Sequence, residues 1–115
     1  MKIRLGQIAH ARSGDKGAAA NVGVIAYTQA GYEFLRANLT VERVEALFKS
    51  MRVGEVIRYE LPNLLAFNFI LPNILDGGGS LSLRIDAQGK ALGQAILEME
   101  LEIPDEIIDN CRRRR

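Results

Sequence analysis

Between Glu55 and Leu71 the chain alternates, turns and alternates again. Ile57, Tyr59 and Leu61 fall on one side of an extended backbone, and Arg58 and Glu60 on the other. Pro62-Asn63 is a tight-turn pair. Leu65, Phe67, Phe69 and Leu71 then share one side, opposed by Leu64, Ala66, Asn68 and Ile70. A period of two is the signature of a strand. Two such runs about a turn pair predict a β-hairpin.

The flanking segments read as further strands and helices. Lys2 to Ala9 predicts an opening strand whose phase slips at Ile8, so its end bends or bulges. A Gly-rich loop is expected from His10 to Ala20. Asn21 to Thr28 is strand-like, with Val22, Val24 and Ile25 apolar on both faces, as in a central, covered strand. Gln29 to Asn38 suits a short helix. Thr40 is a good N-cap, Glu42 favours the first turn, and Val41, Val44, Leu47, Phe48 and Met51 recur at helical spacing. Gly54 ends that segment. Gly77 to Gly79 mark a second loop, as a mobile lid or a plain hairpin connection. Leu81, Leu83 and Ile85 alternate with Ser82, Arg84 and Asp86 as a half-buried strand with a surface ion pair. Ala91, Leu92, Ala95 and Ile96 fit a helix. Leu97, Met99, Leu101 and Ile103 alternate against Glu98, Glu100 and Glu102 until Pro104.

This order predicts an α+β, ferredoxin-like fold: a split βαβ with extra strands. One mainly antiparallel sheet would carry helices on one face. Its other face is wet or meets another chain, and its apolar residues point to the second. Residues 1–104 form the single domain. Residues 105–115 read as a disordered tail, acidic and then Arg-rich.

The 115 residues suffice for one domain. No apolar run approaches the roughly 20 residues of a membrane helix. Met1-Lys2-Ile3-Arg4-Leu5 does not open a signal peptide, so a cytoplasmic location is expected. With one cysteine, Cys111, and one histidine, His10, no intrachain disulfide forms and a zinc site would need carboxylates. Neither a metal nor a cofactor is expected. The net charge of +1 hides an asymmetry, because without Arg112–Arg115 eleven cations face fourteen anions. That tail touches nucleic acid or acidic lipid, or is a solvated end. No basic face with interleaved aromatics supports nucleic-acid binding.

The run Arg12-Ser13-Gly14-Asp15-Lys16-Gly17, followed by Asn21, concentrates charge and glycine. One reading is an anion nest, with backbone N–H groups turned inward and Arg12 and Lys16 adding charge. Asp15 would then orient Lys16 or act as a base, and His10 would move a proton. The other reading is a tight loop with surface ion pairs and an exposed His10. The spacing is not that of a Walker loop. Asn21 fixes the loop or contributes to a site. Arg58 and Glu60 pair across i, i+2 on a solvated face, or Arg58 and Asn63 meet a ligand or a subunit. Asn68, mid-strand among apolar residues, needs a partner if buried. His10, Ser13 and Asp15 lie too close in sequence to presume a triad.

Several of these segments occur together in order: Arg12–Gly17, Asn21–Ala26, Arg58–Asn63, Gly77–Gly79, Ser82–Asp86 and Gln88-Gly89-Lys90. The pattern resembles the small C-terminal, ferredoxin-like domain of the acyclic terpene utilisation (AtuA-like) family, over Ile3 to Ile103. That resemblance implies an accessory or ligand-binding domain in a system handling acyl-CoA or carboxylate intermediates. It also implies association through the open sheet face, with itself or with a separately encoded larger subunit. A small independent enzyme using the Arg12–Gly17 segment, with Asp15, Lys16 or His10 as its catalytic candidates, is the alternative. A purely structural oligomeric domain is a third reading.

Overall fold

The computed structural model describes residues 1–16, 19–49, 53–72 and 89–113, with the side chains of residues 15, 16 and 89–91 outside that description. Strands are β1 (Lys2–Arg4), β2 (Ala9–Lys16), β3 (Ala19–Ala26), β4 (Ile57–Leu61), β5 (Ala66–Leu71) and β6 (Glu100–Glu102). Helices are α1 (Gln29–Asn38), α2 (Val41–Leu47), α3 (Gly89–Leu97) and α4 (Ile108–Cys111). The fold is α+β.

Four strands form an antiparallel sheet in the order β2-β3-β5-β4, and β1 pairs with β6 in a separate ribbon. α1 and α2 carry the chain from β3 to the far edge at β4. The predicted hairpin then brings β5 back between β3 and β4. A 3-10 turn, Pro62–Leu64, closes the hairpin, and Leu65 completes it in the left-handed region at φ 55°.

Both helices of this connection begin with a hydroxyl cap. The Thr28 hydroxyl accepts from Gly31 N at 3.0 Å, and that of Thr40 from Arg43 N at 3.2 Å. Each satisfies one of the free N–H groups at a helix start. β3 alternates between half-buried and buried along its whole length. Its buried face, with Val22 and Val24, continues into Phe67, Phe69 and Leu71 of β5. Tyr32 and Leu35 of α1 and Leu92 and Ile96 of α3 are buried in the same core. α3 lies close on β2, where a Cβ at Gly93 would stand 3.6 Å from the Ala11 Cβ.

Three expectations are corrected. The segment from His10 to Ala20 is not a loop over its described part: Ala9–Lys16 is a strand, paired residue for residue with Ala19–Ala26. Backbone pairing overrides the weak strand preference of Arg12–Lys16. The opening strand is shorter than expected, because a 3-10 turn at Leu5–Gln7 separates β1 from β2 just before the phase slip at Ile8. The described part of the C-terminal segment packs on the core through α4. Ile108 and Cys111 are buried, and Thr28 Oγ1 donates to the Asn110 carbonyl at 2.7 Å. Met51, Gly77–Gly79 and Leu81–Asp86 lie outside the described residues.

Tyr32 carries a cost inside this core. Its ring stacks on Phe67 at 4.7 Å, but among the described residues its buried hydroxyl has no hydrogen-bond partner. Tyr32→Phe is therefore expected to stabilise the chain by about 1 kcal/mol at neutral pH. Burial, and secondarily the Glu60 carboxylate, raise the Tyr32 pKa above its ordinary value of 10.0. The folded chain thus keeps a proton that the unfolded chain releases. The resulting stability is fully present below about pH 10 and declines as pH rises beyond it. Urea midpoints at neutral and alkaline pH test this: the advantage of Tyr32→Phe should widen above about pH 10.

Candidate functional site

Directly opposed residues of an antiparallel sheet share a face. The registers therefore lay out the side away from the helices in three rows. The first is His10, Ile25, Ala66 and Leu61; the second is Arg12, Gly23, Asn68 and Tyr59; the third is Gly14, Asn21, Ile70 and Ile57. Ile57, Tyr59 and Leu61 are 45%, 52% and 41% exposed, while Ile25 and Ile70 are half-buried. This face is open among the described residues.

Three of the polar candidates share this face. Asn21 Nδ2 donates to Asn68 Oδ1 at 3.2 Å, across β3 and β5. Gly14 makes room for that arrangement, since a Cβ there would stand only 3.0 Å from Asn21 Oδ1. Arg12 is exposed two strands from Asn68, about 10 Å away at ordinary strand spacing. Between them lies Gly23. A Cβ on Gly23 would find nothing nearer than the Arg12 carbonyl oxygen at 3.9 Å, and its φ is not in the left-handed region. Neither crowding nor backbone geometry within the chain requires glycine there. Glycine in a strand interior weakens it and often marks the close approach of a ligand or another backbone. Arg12 and the Asn21–Asn68 pair thus share one sheet face with Gly23, with Ile25, Ile57, Ile70 and Tyr59 around them.

The other candidates are placed elsewhere. Arg58 projects to the helix side, where its Nη1 donates to the carbonyls of Arg36 at 3.1 Å and Leu39 at 2.9 Å. Its Nη2 pairs with Glu60 at 2.8 Å, and its guanidinium lies 5.3 Å from the Phe67 ring centre. These contacts tie the end of α1 to β4. Asn63 is exposed in the β4–β5 turn, at the opposite end of the sheet from the β2–β3 connection. Ser13 opposes Val22 and shares its side of the sheet. Asp15 and Lys16 pair through backbone with Ala20 and Ala19. Their side chains and Gly17 lie outside the described residues.

His10 stacks on Tyr27 at 5.5 Å, and Arg113 sits 5.7 Å from the same tyrosine ring. That stack borders the first row of the open face. Gly23 and Tyr59 were missed as site residues, although a glycine inside a strand pattern is a readable signal.

Two open surface depressions, of about 560 and 570 Å³, lie elsewhere and share Arg4 and Glu98, which pair at 3.4 Å. None of the open-face residues lines either one. Among the described residues no cluster of three or more His, Cys, Asp or Glu could hold a metal, and no helix is long and apolar enough to cross a membrane.

Comparison with known proteins supplies one assignment. No curated protein and no solved structure matches the chain. The family model of the AtuA ferredoxin-like domain matches residues 3–102, nearly the whole fold described above. The chain therefore belongs to the AtuA ferredoxin-like domain family.

Proposed function

We propose that this chain is an accessory, ligand-binding domain of an AtuA-like system that handles carboxylate or acyl-CoA intermediates. The reading rests chiefly on the gathering of Arg12, Asn21 and Asn68 around Gly23 on the open sheet face. Arg12 supplies a planar cation suited to a carboxylate or phosphate. The paired amides of Asn21 and Asn68 offer both donors and acceptors. Ile25, Ile70, Ile57 and Tyr59 offer an apolar margin to an acyl chain. The same exposed apolar strip supports association with a larger AtuA-like subunit, because small soluble monomers rarely leave such strips uncovered. These roles are compatible if the ligand lies at the contact between the subunits.

Calorimetric titration with a medium-chain carboxylate and with its CoA thioester tests the site. Arg12→Ala should weaken binding about 10-fold or more, the scale of one charge-assisted hydrogen bond. Gly23→Ala should separate fold from function. It should raise stability by roughly 0.5 kcal/mol, because strand glycine is costly and the space is free. Yet its methyl group should stand between Arg12 and Asn68 and weaken binding. If both variants bind as well as the parent, or the parent binds neither probe, the ligand reading fails. Light scattering with a co-expressed larger AtuA-like subunit tests association separately.

A further inference from the structure

Among the described residues strand β4 ends the four-stranded sheet, and its sequence is Ile57-Arg58-Tyr59-Glu60-Leu61. Read in either direction it runs apolar, charged, aromatic, charged, apolar, with the two charges opposite in sign. Such a strand is complementary to an antiparallel copy of itself. From this pattern and its position, we infer that two copies of this chain pair through β4 about a two-fold axis at Tyr59, giving one sheet of eight strands.

The register follows from the symmetry. Tyr59 opposes the partner's Tyr59, Ile57 opposes the partner's Leu61, and Arg58 opposes the partner's Glu60. Unlike charges then face each other twice, and the apolar side chains all meet on the open face. A shift by two residues places Tyr59 opposite the partner's Ile57 or Leu61 and sets Arg58 or Glu60 opposite its own kind. Like charges directly opposite destabilise a strand pair. A single register is thereby selected.

The exposure of β4 supports its availability. Ile57, Tyr59 and Leu61 on one side, and Glu60 on the other, all remain more than two-fifths open to solvent. An exposed edge is ordinarily guarded by proline, a bulge or inward charge, and of these β4 carries only the inward Arg58, whose charge Glu60 already pairs. Among the described residues β4 has no bulge against β5, and Pro62 stands only after its last residue. The Arg58–Glu60 ion pair at 2.8 Å need not break on pairing. The partner's pair arrives alongside it and completes a ring of four alternating charges. Pairing also joins the two apolar strips into one continuous band. This inference does not depend on any ligand, so failure of the binding reading leaves it standing.

Cysteine cross-linking reads the register directly. Cys111 is fully buried, so the parent chain should resist mild oxidation. Opposed residues of an antiparallel pair have Cα atoms about 4.5–5.5 Å apart, within disulfide range. Tyr59→Cys should therefore give a covalent dimer on a non-reducing gel. Ile57→Cys and Leu61→Cys should each cross-link poorly alone but well when mixed. Leu64→Cys, at a more exposed site beyond the strand, should not cross-link. Light scattering on the parent should show a dimer, and Tyr59→Lys, which sets like charges across the axis, should shift it to monomer while its circular dichroism stays native. A monomeric parent, or a dimer in which Tyr59→Cys fails to cross-link, overturns the inference.

Discussion

Phe67→Ala is expected to cost about 3–5 kcal/mol, which would leave a domain of this size near its folding threshold. Phe67 is fully buried on the central strand β5, and both of its ring faces are occupied. Tyr32 stacks on one side with rings nearly parallel, at 13°, and the Arg58 guanidinium is within cation–π range. Removing the ring takes away a large buried area and the partner of two other side chains. The neighbours cannot close the gap cheaply, because β3 and β4 hold β5 from both sides. Urea unfolding of the purified variant measures the loss. A change below about 1 kcal/mol would mean that the core relaxes around the site far more than this packing allows.

Arg58→Met should lower stability by about 2–3 kcal/mol and leave ligand affinity unchanged. Methionine keeps the apolar stem but gives up two bonds to the end of α1, the pair with Glu60 and the cation above Phe67. The Arg36 and Leu39 carbonyls would lose a donor, and the Arg58 side chain is only 18% exposed, so water replaces it incompletely. The guanidinium also carries positive charge to the negative end of a helix, which adds to the effect. Arg12→Ala should do the reverse, with stability within about 0.5 kcal/mol of the parent. Melting and titration on both variants make the comparison. If Arg58→Met melts like the parent but no longer binds, Arg58 belongs to the ligand surface and the assignment made here is wrong.

The hairpin from Ile57 to Leu71 and the helices starting at Gln29 and Val41 were legible in the sequence because their signals are local. Period two, period 3.6, a Pro-Asn turn and the Thr40 cap act over a few residues. The segment from Arg12 to Lys16 was misread because its partner decides its shape. Gly14 is poor strand material taken alone, but beside Asn21 it is the residue that lets an amide lie across the sheet. The destination of Arg58 was hidden for a similar reason: the carbonyls it binds lie 19 and 22 residues earlier. Arg12, Asn21 and Asn68 could be named as polar residues in unusual company, but only the strand register brings them to one face. Asn63, chosen by the same reasoning, lies at the far end of the sheet.

The ribbon of β1 and β6 has a kinetic consequence. It joins segments about a hundred residues apart, with the Met1 amine donating to the Ile103 carbonyl across a separation of 102 residues. The hairpins β2–β3 and β4–β5 close over a few residues and so zip early, whereas closing a loop of this length carries a much larger entropic cost. The ribbon therefore forms late, on a sheet already assembled. It is also short, three residues on each side, and both strands have exposed outer positions. By the same logic it is the first element to let go, so Ile3 and Leu101 should exchange their amide hydrogens before Val24 and Phe67 do. The ribbon then acts as a seam that opens while the central sheet, and the face it presents, stays intact.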